Sequence, residues 1–299
     1  MATLYTNQAK NIKKTWILMT TFLVVIIGLG WFFSYYLQSP LILIIAVIFS
    51  ISMNFIAYWY SDKIVLKISG AKLINREENR DLWNIVENLS ITAGLPMPKL
   101  YIINDPAPNA FATGRNKEHA IVAVTTGLLS VLDKNELEGV IAHELSHIGN
   151  RDILILTVVV VLVGFITLLS DLFLRMTFFG KRGGGNRDSG KLEIILMMIG
   201  VVLAILAPLI ASLIKLAVSR KREFLADASG ALLTRFPQGL ASALEKISQH
   251  SQKMEKANRA IAHLFIADPF GQNKKMGFIH KMFLTHPPVE DRVKALMGK

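Results

Sequence analysis

A chain of 299 residues can hold one or two domains, but apolar residues make up 52% of it and charged residues only 18%, where an average soluble domain has about 25% charged. That balance argues against a single soluble core. The absence of cysteine rules out a disulfide framework and cysteine-ligated zinc, and a net charge of +11 without a nucleic-acid motif points to anionic lipid rather than nucleic acid.

No charged residue lies between Lys14 and Asp62. Broken at Gln38, Ser39 and Pro40, the stretch predicts two membrane helices, Trp16–Leu37 and Leu41–Tyr60, each of the ~20 residues that cross ~30 Å of hydrocarbon. Trp16, Trp31, Tyr35, Tyr36, Tyr58, Trp59 and Tyr60 stand mostly near their ends, where aromatic belts form. The first apolar stretch is too long for the core of a cleaved signal. A polar region follows from Ser61 to Asp152, with a helix expected near Glu77–Thr92 and short strands at Lys99–Asn104, Asn109–Thr113 and Ala120–Thr125. Thr125–Leu132 leads into another helix, opened by a capping box at Asp133 and Glu136 and stopped at Gly149.

Two further apolar spans are expected at Ile153–Ser170 and Ile194–Ile214, joined by a flexible loop around Lys181–Arg187. From Lys215 the chain is polar and mainly helical in pattern, interrupted at His286-Pro287-Pro288. The expected fold is therefore a mainly α integral membrane protein with four transmembrane helices and an α+β domain holding a small sheet. Its divisions are an N-terminal hairpin at 1–60, a catalytic domain built from 61–152 and 216–299, and a second hairpin at 153–215 inserted between its two parts.

The chemistry is concentrated in His143-Glu144-Leu145-Ser146-His147, an H-E-x-x-H pattern. On a helix, two histidines four apart project from one face and reach one zinc ion, while Glu144 sits close enough to take the proton of a water that the metal activates. Catalytic zinc usually has three protein ligands, and no further histidine follows at the extended spacing, so a carboxylate is the natural third. Glu223 and Asp227, four apart, both qualify, one as ligand and the other as hydrogen-bond partner of a ligand histidine. Taken alone the pair reads as a solvated helix end. His119, His250, His263 and His280 have no partner at ligand spacing.

The run HELSHIGNRD, two apolar spans, then SRKREFLADASGA and finally THPPVEDR together resemble the HtpX family of bacterial membrane metalloproteases, relatives of the CAAX prenyl proteases. The resemblance covers nearly the whole chain. It implies a zincin-like catalytic domain, one zinc ion per chain, Glu223 as third ligand and Asp227 as the orienting carboxylate. It also implies that Asn109-Ala110-Phe111-Ala112 matches the family's N-A-F-A segment and that His286 and Arg292 fall in its H-P-x-x-x-x-R segment. Physically, the first reads as an edge strand able to pair with an extended substrate. His286 can donate to the oxyanion at the scissile carbonyl, and Arg292 can hold an active-site carboxylate. The family implies cleavage of membrane or misfolded proteins in bacterial quality control, at the plasma membrane, with the site facing the cytoplasm.

The order of motifs bears on topology. His147 and Glu223 must reach one ion, so an even number of crossings separates them, and the short distances to the flanking spans put the metal within ~10–15 Å of the membrane surface. Lys10, Lys13, Lys14, Lys63, Lys67 and Lys72 flank the first hairpin and place the catalytic domain inside, while the basic loop between the third and fourth spans opposes that bias. Other readings are a prenyl-protein endopeptidase, for which four spans are few, and a membrane chaperone or scaffold with a non-catalytic metal site, against which the intact Glu144 speaks. A transporter lacks support, since the first two spans have no mid-span charge. Substrates are expected to be membrane proteins or unfolded polypeptides.

Overall fold

The computed structural model describes residues 4–179, 199–203, 205, 220–250, 252–258, 260–271 and 287–298. The chain opens with the long helix α1 (Leu4–Tyr36), a tight turn and α2 (Pro40–Trp59). Ser39 precedes a proline at the first helical position, where a missing N–H costs nothing. Along α2 the exposed apolar side chains Leu41, Ile44, Ile45, Ile48, Ile51 and Phe55 recur at helical spacing, which is a lipid-facing stripe. Both helices are long and apolar enough to span a bilayer, α1 over Ala9–Tyr36. The expected hairpin is present, but α1 begins at Leu4, twelve residues before the expected start at Trp16. Its lysine-bearing first turns stay helical because Asn11, Thr15 and Leu18 bury against the rest of the protein.

Helix α3 (Ser61–Ser69) ends at the left-handed Gly70 and leads to β1 (Lys72–Leu73). Helix α4 (Arg80–Ala93) is capped by the Asn79 side chain, which accepts from the Leu82 N–H at 3.0 Å. Strands β2 (Lys99–Ile103), β3 (Ala110–Thr113) and β4 (Ile121–Thr125) complete a four-stranded sheet in the order β1-β2-β4-β3. The β2 and β4 strands are parallel; β1 and β3 are antiparallel to their neighbours. The period-2 alternation of strands divides the sheet between two cores. Leu100, Ala110, Ala112, Val122 and Val124 pack with α4 and the helices that follow, whereas Ile103, Phe111 and Ala123 pack with α1, α3 and the first apolar helix after the H-E-x-x-H segment. Every residue of β3 and β4 is buried.

After α5 (Thr126–Val131) comes α6 (Lys134–Gly149), with the expected capping box in place: Asp133 accepts from the Glu136 N–H at 3.0 Å and Glu136 accepts from the Asp133 N–H at 2.9 Å. The chain then turns at Arg151, which sits at φ 57°, and continues as α7 (Asp152–Phe179). Helices α6 and α7 meet at 84° and pass as a membrane span only if taken together. The first turns of α7, Ile153–Val163, are buried among α1, α2 and α3. Of the expected fourth span only 199–203 and 205 are described, as helix, and the Gly-rich loop before it lies outside the described residues. Helices α8 (Arg220–Thr234) and α9 (Pro237–Gln249) pack on α6 and on each other, and α10 (Val289–Leu296) packs on both. The architecture is mainly helical with one small mixed sheet.

Candidate metal centre

Helix α6 is fixed before it carries chemistry. Its buried Glu136 is held from α9 by Ser242 Oγ, 2.6 Å away, and by Lys246 Nζ at 2.8 Å. At Gly139 an added Cβ would stand 2.6 Å from the Leu240 backbone nitrogen, so α9 lies directly on α6 there. The crossing with α8 is as close. A Cβ on Gly230 would approach the His143 backbone nitrogen to 3.0 Å. Glu223, Asp227 and Gly230 are spaced i, i+4, i+7 along one helical face, so the glycine that lets α8 approach α6 delivers both carboxylates to the histidines.

The result is a buried cluster of three ligand atoms. His143 Nε2 and His147 Nε2 face each other at 3.2 Å, Glu223 Oε2 is 3.8 Å from the first, and Glu223 Oε1 is 3.6 Å from the second. A tetrahedral zinc with bonds near 2.0–2.1 Å separates its ligands by about 3.3 Å, so these residues fit that ion. The opposite ring nitrogens agree. His143 Nδ1 lies 2.9 Å from Asp227 Oδ1 and His147 Nδ1 lies 3.1 Å from Asp152 Oδ2. A proton on each Nδ1, donated to a carboxylate, leaves both Nε2 lone pairs directed at the same point.

Each of these carboxylates is itself held. Arg292 of α10, 1% exposed, grips Asp227 with Nε at 2.8 Å from Oδ2 and Nη2 at 2.6 Å from Oδ1. Burial works against charge on Asp227, but the hydrogen bonds from Arg292 and His143 outweigh it and hold the carboxyl at about 2. Burial likewise works against a charged His147. The hydrogen bond to Asp152 and the charges of Glu223, Asp152 and Glu144 overcome it and raise the imidazole to about 9.

Glu144 is buried within α6, and its charge acts on both His147 and Arg292. Strand β3 is an edge of the sheet. The Asn109 carbonyl accepts from the Thr125 N–H of β4, so by alternation the main-chain groups of Ala110 and Ala112 turn to the outer edge. At Ala110 that edge is filled: its N–H donates to the Asn109 side chain and its carbonyl accepts from Ile266 N–H at 2.9 Å. Phe111 packs edge-on against Phe265, with ring centroids 5.1 Å apart. His286 lies outside the described residues.

Two parts of the site have no counterpart in the sequence reading. Asp152 stands five residues after His147, inside the run that carries the family resemblance, and its position at the first turn of an apolar helix gave it a ready role as a helix-start residue. Gly230 was visible as the third member of the i, i+4, i+7 series but is unremarked among the many small residues of α8.

Comparison with known proteins agrees with this geometry. The family model for Peptidase family M48 matches residues 76–299. A protein called Protease HtpX homolog from Caldanaerobacter subterraneus subsp. tengcongensis is 47% identical over 296 residues, spanning 98% of this chain and 97% of that one. Its namesake from Thermoanaerobacter pseudethanolicus is 48% identical over 296 residues, with the same coverage. Among solved structures, the crystal structure of S. mikatae Ste24p superimposes with a TM-score of 0.51 at 18% identity, covering 95% of this chain and 66% of that one, which is a likeness of fold.

Proposed function

The chain belongs to the HtpX proteases of peptidase family M48, and from that premise we propose that it cleaves misfolded or membrane-inserted polypeptides in bacterial membrane quality control, with Glu144 as general base. It is a membrane zinc metalloprotease whose zinc site is His143, His147 and Glu223, and it has at least two transmembrane helices. The observation that carries the catalytic reading is the convergence of three ligand atoms within 4.8 Å of one another, in a buried site.

When bound, zinc supplies a Lewis acid that polarises the scissile carbonyl and lowers the pKa of water. The remaining work falls to the chain. Asp227 and Asp152 hold the two imidazoles in the tautomer that offers Nε2. Arg292 keeps Asp227 charged and in place. Glu144, beside His143 in sequence, takes the proton from the attacking water and passes it to the departing amine. His286 of the H-P-x-x-x-x-R segment donates to the carbonyl oxygen as charge develops there. An extended substrate pairs with the edge strand β3 at Ala112, whose main-chain groups turn outward by alternation, while Asn109 and Phe111 brace that strand.

In this reading the catalytic domain is formed by 61–152 and 216–299, the segment 153–215 is an inserted second membrane hairpin, and the protein has four spans in the bacterial plasma membrane. The basic residues flanking the first hairpin support a cytoplasmic catalytic side. The test is Glu144→Gln in full-length protein. It is expected to retain one zinc per chain while cleavage of an unfolded polypeptide falls by a factor of about 10²–10⁴, the usual contribution of a general base. Unchanged cleavage with the metal retained would remove Glu144 from the reaction, and cleavage that survives complete chelation would reduce the metal site to a scaffold.

A further inference from the structure

The bond that steadies His147 does not end at Asp152. Asn11, in the first turns of α1, is 5% exposed and donates through Nδ2 to Asp152 Oδ1 at 2.6 Å and to the Asn150 carbonyl at 3.1 Å. Asp152 uses its other oxygen, Oδ2, on His147 Nδ1. The two contacts of Asn11 therefore span the corner between α6 and α7: one is to the cap of the helix that bears both zinc-binding histidines, the other to the carboxylate that orients one of them. Arg222 of α8 is a second neighbour of Asp152, with Nη1 3.6 Å from Oδ1, and it lies one residue from the zinc ligand Glu223. One turn along α1, the buried Thr15 Oγ1 donates to the Asn11 carbonyl at 3.0 Å, so the helix is tightly packed where it makes this contact.

An amide is suited to this position. It donates to Asp152 without neutralising it, so the carboxylate keeps its charge for His147 Nδ1, and its two donors fix the relative placement of Asn150 and Asp152. A hydrophobic side chain of the same volume would fill the space and leave the carboxylate one donor short in a buried setting. The α1 helix has a second, partly buried polar tie, the bond from Asn54 Nδ2 of α2 to the Met19 carbonyl at 3.3 Å, which is part of the helical hairpin and does not touch the metal centre. The two contacts separate packing of α1 from support of the site.

We propose that Asn11 is a positioning residue of the zinc site: the chain Asn11–Asp152–His147 makes the first membrane helix a working part of the metal centre as well as an anchor. The proposal rests on the zinc-protease reading. It predicts that disturbing α1 at Asn11 weakens zinc binding, and that an equal disturbance of α1 elsewhere does not.

The experiment uses full-length protein in lipid nanodiscs, with zinc dissociation constants from chelator competition and kcat and KM on an unfolded polypeptide. Asn11→Leu, close to isosteric, is expected to weaken zinc about tenfold, the lower end of the 10–100-fold range for outer partners of metal ligands, and to lower kcat at zinc levels near the wild-type dissociation constant while KM stays unchanged. Asn11→Asp sets a second carboxylate against Asp152 and is expected to weaken zinc further. Asn54→Leu is expected to lower thermal stability and leave the zinc dissociation constant at the wild-type value. The proposal is overturned if Asn11→Leu and Asn11→Asp bind zinc as the wild type does, or if Asn54→Leu weakens zinc as much as they do. Wild-type protein that binds no zinc would instead overturn the metal assignment itself.

Discussion

The two histidines of the zinc site are supported from opposite parts of the molecule. His143 leans on Asp227, which α8 provides and Arg292 of α10 clamps, so its whole support is a charged pair within the polar domain. His147 leans on Asp152, the first residue of the apolar helix α7, and Asp152 is steadied by the neutral amide of Asn11 in α1 and by the charge of Arg222 in α8. The histidines are chemically equivalent ligands four residues apart, yet one is braced wholly from within the polar domain and the other also from the apolar helices α1 and α7. One ion thus joins the polar and apolar halves of the fold.

The comparison predicts unequal penalties. Arg292→Leu is expected to cost about 3–5 kcal/mol of stability, because it leaves the Asp227 charge buried without its main partner. Asn11→Leu removes a neutral donor to a charged acceptor and should cost about 1.5–3 kcal/mol. Chemical denaturation of the solubilised protein measures both, and equal penalties would erase the distinction between the two braces.

A smaller effect sharpens the comparison in zinc affinity. Asp227→Asn and Asp152→Asn should each weaken zinc by about 10–100-fold. Combined with Asn11→Leu, the first should add, since its bonds belong to the other brace, and the second should not, since Asn11 acts through Asp152. Zinc dissociation constants for the three single and two double variants decide this; additivity of Asn11→Leu with Asp152→Asn would cut the link between them.

The last expected effect is on pH. The imidazole of His147 is raised from 6.5 to about 9 in the metal-free protein. The sign follows from that direction: the proton stabilises the metal-free fold fully below about 6.5, and this stabilisation is lost as pH rises through about 9. A zinc ligand must be neutral, so apparent zinc affinity should rise about tenfold per pH unit between those values, with close to one proton released on binding. Calorimetric titration in buffers of different ionisation enthalpy counts that proton. Asp227, held at about 2, stays ionised throughout this range and should not contribute to the slope.

The sequence carried most of the His143 brace and little of the His147 brace, for a physical reason. The capping box at Asp133 and Glu136, the i, i+4 histidines and the i, i+4 pair Glu223 and Asp227 are local patterns set by helix geometry, and all of them form as expected. The strands were legible from apolar runs between turns, although the parallel pairing of β2 with β4 and the two-residue β1 have no local signature. Asn11 is 141 positions from Asp152, and a lone asparagine among lysines reads as the polar flank of a membrane span. Only packing reveals that α1 continues through those lysines to reach the domain. The assignments of His286 and of most of the fourth span fall outside the described residues.

Arg151 forms the corner between α6 and α7. Its left-handed backbone conformation, unusual for a residue with a side chain, turns the path by 84° between α6 and α7. Had the two helices run straight on, the 16 residues of α6 would extend about 24 Å beyond the apolar bundle at 1.5 Å per residue. The corner folds that length sideways instead, and His147 stays four positions from its apex. His147 thereby keeps its contact with Asp152 at the first turn of α7, beside the bundle of α1, α2 and α7. The elbow thus makes one residue the joint between the polar domain and the apolar bundle, so the metal site is built at the seam of the two rather than at the far end of α6.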